Sequence, residues 1–131
     1  MAGKTVYIGS GAGFAGDRID AGLPVVRTLA RRDGSRYLIF EVMGERTLAI
    51  AQRIRMTNPD QGYSPYLEPY LRGVLKEAKS SGVRIVANLG NANPLGGARR
   101  TRIPVADRDH DPSAFRALAR LPRCIPFRGP A

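Results

Sequence analysis

The stretch RYLIFEV, Arg36 to Val42, constrains the fold of this chain most. An almost continuous apolar run of this kind is the pattern of a strand buried on both faces, and such strands belong to parallel sheets covered by helices. The flanking segments agree. Ile19, Leu23, Val26 and Leu29 recur at near-helical spacing before it. Pro24, accepted in a first turn and disfavoured further in, sets that helix at about 24 to 32, ending before Gly34. Glu45 to Met56 then reads as a helix with Leu48, Ala51 and Ile54 inward, stopped by Asn58-Pro59 and Gly62. Ser64-Pro65 starts another, with Leu67, Leu71, Val74, Leu75 and Ala78 as its stripe, Glu68 and Arg72 paired at i, i+4, and Gly82 as terminator. A third strand, VRIVA, follows and ends at Asn88, and a short helical start lies near Leu95 to Arg100.

The chain opens on a different kind of segment. Thr5, Val6, Tyr7 and Ile8 favour a strand, and Gly9, Gly11, Gly13 and Gly16 follow as a turn free to take unusual backbone angles or to let another molecule approach. Gly11, Gly13 and Gly16 fall on the spacing G-x-G-x-x-G, and Glu41 lies at the end of the next strand, where dinucleotide-binding folds keep a ribose-binding acid. Two residues, Gly9 and Ser10, separate the strand from this fingerprint, and Glu41 is 25 positions beyond Gly16. A nicotinamide or flavin site is therefore one reading of the turn, and a purely structural turn is the other.

Strand, helix, strand, helix pair, strand is the order of a parallel α/β unit with right-handed crossovers, an open doubly wound sheet being favoured over the start of a β/α barrel. Ligands of such sheets bind outside the carboxyl ends of the strands. All three ends are polar here. The first delivers Ser10, Asp17 and Arg18, the second Glu41, Glu45 and Arg46, and the third Asn88, Asn91 and Asn93. The competing interpretation is that Asp17 and Glu45 only favour helix N-termini and that the asparagines only accept turn geometry.

Composition narrows the chemistry. The 131 residues, 43% hydrophobic, suit one ordinary domain. With no apolar run of about 18 residues and no basic-then-apolar opening, neither a membrane span nor a secretory signal is expected, and the expected location is the cytoplasm. The sole cysteine, Cys124, and the sole histidine, His110, cannot supply an internal disulfide, a Cys/His zinc set or a Ser-His-Asp triad. The net charge of +10 is divided evenly: residues 1–97 carry 13 Lys and Arg against 8 Asp and Glu, and residues 98–131 carry 8 Arg against 3 Asp. No basic run with interleaved aromatics occurs, so this charge does not point to nucleic acid.

With IGSGAGFAGDRIDA, FEVMGERTLAIAQ and IVANLGNANPLGGA in order, residues of about 5–100 resemble the amino-terminal part of the acyclic terpene utilisation protein AtuA family. The resemblance implies a cytoplasmic protein of acyclic terpene breakdown, of the citronellol and geraniol type, acting through coenzyme A thioesters. Its motifs place Asp17 and Arg18 of GDR, Glu41, Glu45 and Arg46 of ExxxERT, and Asn88 and Asn93 of the third turn around one pocket. In that pocket Ser10, Gly11, Gly13 and Asn91 would join Arg18, Arg46, Asn88 and Asn93 in binding an acyl-CoA or other small-molecule anion. Asp17, Glu41 and Glu45 would serve as general acid or base in hydration or carbon–carbon cleavage. The family glycines belong to a pattern other than the dinucleotide fingerprint, and no cofactor follows from the resemblance.

After Gly97 the pattern changes, and 101–131 reads as an Arg- and Pro-rich tail of poor order behind a partial α/β domain at 1–100. Five of the ten prolines lie in the last 34 residues. That change suggests a reading frame shifted near codons 98 to 103, or a truncated gene, the alternative being a genuine short variant of the family. A short sheet so ended would have an uncovered edge and a tendency to self-associate. A nucleotide-binding module and a nonfunctional or interaction-only remnant are the alternative functions.

Overall fold

The computed structural model describes residues 5–106; the readings of the tail beyond Ala106 fall outside them. Seven elements follow in order: β1 (Val6–Ala12), α1 (Gly22–Ala30), β2 (Ser35–Phe40), α2 (Glu45–Thr57), α3 (Leu67–Ser81), β3 (Arg84–Ala87) and α4 (Pro94–Ala106). The three strands form an open, wholly parallel sheet in the order β1-β2-β3, so the fold is α/β as expected. Their carboxyl ends share one edge.

The core lies between the sheet and the pair α1 and α3, which pack on one another. Val26 and Leu29 of α1, Leu38 and Phe40 of β2, and Tyr70, Leu71, Val74 and Ala78 of α3 are buried there. The stripe expected on α3 is thus the observed one, joined by Tyr70, and Gly82 closes the helix in the left-handed region at φ 68°. Its Glu68–Arg72 pair forms at 2.7 Å.

Four expectations are corrected. Phe40 and Leu38 are covered, but the other face of the sheet carries Val6 at 53%, Ile8 at 65% and Val86 at 51% exposure, and Tyr37 and Ile39 are half buried. The apolar run of β2 is therefore covered on one face by the described residues. The first strand does not stop at Ile8: it runs through Gly9 and Gly11 to Ala12, because those glycines make room for neighbours across the core. A Cβ at Gly9 would lie 2.4 Å from Val25 Cγ1, and one at Gly11 2.6 Å from Phe40 Cε1. Of α2 only Ala51 is buried, while Leu48 and Ile54, expected inward, are exposed because no described element packs over them. Finally, the helix expected near Leu95 to Arg100 extends to Ala106, across the point at which the sequence pattern changes.

Candidate functional site

Parallel pairing brings the three polar strand ends to one edge, and β2 and β3 are joined there by side chains. Asn88, one residue past β3, accepts from the Val42 backbone N–H at Oδ1 (2.8 Å) and donates from Nδ2 to Glu41 Oε1 (2.7 Å). Glu41 Oε1 also accepts from the Met43 N–H at 3.1 Å. The carboxylate is exposed yet fixed in direction, with these bonds on one oxygen.

The turn after β1 is organised by Asp17, whose Oδ2 accepts from the N–H groups of Gly13 (2.7 Å) and Phe14 (3.3 Å). Its backbone carbonyl accepts from the hydroxyl of Tyr70, at 2.8 Å. Burial, and next the Asp17 charge, push the Tyr70 phenol up, so that it remains a donor. The sequence pattern missed Tyr70, although its place three residues after Leu67 put it on the buried side of α3. Gly16 takes φ 102° within the turn. Arg18 is exposed and paired with Asp20 through two bonds, at 2.9 and 2.7 Å; hydrogen bonding to Asp20 raises Arg18 and lowers Asp20 from their usual values. Ser10, on the sheet face away from the helices, donates to the Ala12 carbonyl at 3.3 Å.

Glu45 and Arg46 open α2 and are exposed. Their helix is started by Thr47, whose Oγ1 accepts from the Gly44 N–H (2.8 Å) and donates to the Gly44 carbonyl (2.9 Å). Asn93 is buried and structural: Oδ1 accepts from the Gly96 N–H at the start of α4, and Nδ2 donates to the carbonyls of Pro59 and Gln61. Asn91 has φ 42°, the left-handed geometry that asparagine tolerates, and its Oδ1 is buried without a hydrogen-bond partner.

Of the sequence candidates, Glu41 and Asn88 are joined by a side-chain hydrogen bond; Gly13, Asp17 and Arg18 lie in the turn that follows β1, Glu45 and Arg46 in the first turn of α2 after β2, and Asn91 in the turn after β3. Gly11 instead sits inside β1, buried against the Phe40 ring.

Residues 6–113 match the acyclic terpene utilisation family protein AtuA. The chain belongs to this family. The match passes through α4 and beyond residue 100, so the family pattern does not stop after Gly97 as the tail composition suggests. No curated protein and no solved structure is matched. Membership relates this AtuA-family chain to acyclic terpene utilisation. Among the described residues no helix is long and apolar enough to cross a membrane, and no group of three or more His, Cys, Asp or Glu could hold a metal ion.

Proposed function

We propose that this AtuA-family chain acts in cytoplasmic acyclic terpene breakdown by binding a terpenoid acyl-CoA along the carboxyl edge of its sheet. The observation that carries this reading is the Glu41–Asn88 pair, which fixes an exposed carboxylate in direction at the edge where open α/β sheets bind ligands. Glu41 is the general base or acid of the proposal, in hydration or carbon–carbon cleavage of the acyl thioester. Asp17 acts by shaping the turn. Arg18 and Arg46 are the cations for the anionic part of the ligand, and Glu45 stands beside Arg46 as a second carboxylate. The dinucleotide alternative loses support, since the first glycine of its fingerprint, Gly11, is occupied in packing.

The test is ligand-dependent thermal unfolding of the 131-residue chain. Citronellyl-CoA should raise the melting temperature saturably, because a ligand of the native state stabilises it by mass action. Arg18→Ala and Arg46→Ala should reduce that rise without lowering the melting temperature of the free protein. Stabilisation by NAD or FAD and not by the acyl-CoA would reverse the assignment.

A further inference from the structure

A cluster none of whose members is among the sequence candidates lies at the first turn of α3. Glu68 Oε1 accepts from Arg72 Nε (2.8 Å), and Oε2 accepts from Arg100 Nη2 of α4 (2.7 Å). Two guanidinium groups share one carboxylate, so these three side chains together carry one net positive charge. Hydrogen bonding from Arg72, and less strongly from Arg100, holds the Glu68 carboxyl below the usual carboxylate range, so the triad stays ionised at neutral pH.

Arg100 and Glu68 border a cavity of about 350 Å³. Tyr63, Pro65 and Leu67 supply apolar wall, and Gln61 and Ser64 supply polar groups. That volume lies at the small end of the range for ligand sites. The walls are held in place by the backbone. The Ser64 N–H donates to the Leu89 carbonyl at 2.8 Å, the Gln61 carbonyl accepts from Asn93 Nδ2 at 2.9 Å, and the absent side chain of Gly97 lets α4 close on Tyr63 and Leu67. Ser64 is buried, and its Oγ accepts from the Tyr66 N–H at 3.2 Å, which fixes the hydroxyl in place. A fixed wall lowers the ordering cost of binding.

We propose that this cavity binds a small organic monoanion, a carboxylate on a short apolar body, with its oxygens on the Arg100 guanidinium and its body against Tyr63, Pro65 and Leu67. The class follows from charge and shape. A single surplus positive charge matches a monoanion, the planar guanidinium matches two coplanar oxygens, and a phosphate dianion would leave excess negative charge beside Glu68.

The test is a calorimetric titration of the 131-residue chain with sodium octanoate, with octanamide and inorganic phosphate as comparison ligands. Octanoate should bind saturably, and Arg100→Gln should weaken it at least tenfold. Glu68→Gln should retain or tighten it, since it frees the guanidinium and raises the local charge. Should Arg100→Gln fail to fold, Arg100→Lys decides, because it keeps the charge, loses the two-pronged geometry and should still weaken binding. Arg18→Ala and Arg46→Ala should leave octanoate binding unchanged, which separates this cavity from the proposed acyl-CoA edge. Equal binding of octanamide, binding of phosphate in place of octanoate, absence of saturable octanoate binding, or indifference to the Arg100 substitutions would each overturn the proposal.

Discussion

Replacing Gly11 with alanine separates a packing glycine from a ligand-contacting one. Gly11 is not among the positive-φ glycines, so alanine fits its backbone, and the whole penalty comes from the new Cβ. That atom would lie 2.6 Å from Cε1 and 3.0 Å from Cζ of Phe40. The ring cannot swing freely, being 1% exposed and packed against Tyr70, itself fully buried, with ring centroids 5.1 Å apart and planes tilted by 31°. Overpacking of this kind costs about 1–3 kcal/mol, and the lower unfolded-state entropy of alanine returns about 0.4–1 kcal/mol. Because the Phe40 ring cannot move aside, the upper half of the overpacking range applies and the net loss is roughly 1–2 kcal/mol, or a melting temperature lower by about 3–12 °C for a chain of this length. Urea unfolding followed by circular dichroism reads it directly. Phe40→Leu in the same chain should make Gly11→Ala less costly, with a coupling of about 1 kcal/mol in the double-mutant cycle. If Gly11→Ala leaves stability unchanged and abolishes ligand binding, Gly11 faces the ligand and the packing account is wrong.

Asn88→Ala should destabilise by about 1–2 kcal/mol, because it leaves the N–H of the buried Val42 without its acceptor; the Val42 amide should exchange with solvent markedly faster. Glu68→Gln carries a pH signature. Because the folded carboxyl is depressed, the contribution of Glu68 is present above its unfolded value and is lost as pH falls through the folded one. The stability gap between wild type and Glu68→Gln should therefore be constant near neutrality and close on acidification, and a gap that widens in acid would contradict the Arg72–Glu68–Arg100 triad.

The order of elements and the sense of the sheet were legible because each element carries its own period: the apolar run of β2, the Leu67 to Ala78 stripe and the Gly82 stop. Polar residues at three strand ends announced the edge for the same reason. What the sequence hid depends on partners distant along the chain. Gly9 and Gly11 read as turn residues, and only the closeness of Val25 and the Phe40 ring explains why they continue a strand. Leu48 and Ile54 show a helical period without any described element to meet it. Asn93 looked like a ligand and is a helix cap, whereas Asn88 keeps its place at the edge through contacts 46 and 47 residues away. Arg100, from beyond the recognised motifs, completes a cluster of which the i, i+4 rule revealed only Glu68 and Arg72.

The central claim is that the carboxyl edge of the sheet is the ligand site, and amide chemical-shift mapping with ¹⁵N-labelled chain tests it most directly. Titration with citronellyl-CoA should move the resonances of Gly13, Asp17, Arg18, Glu41, Glu45, Arg46 and Asn88 together along one saturation curve. Shifts confined to the uncovered sheet face at Val6, Ile8 and Val86, or absent at saturating ligand, would contradict it.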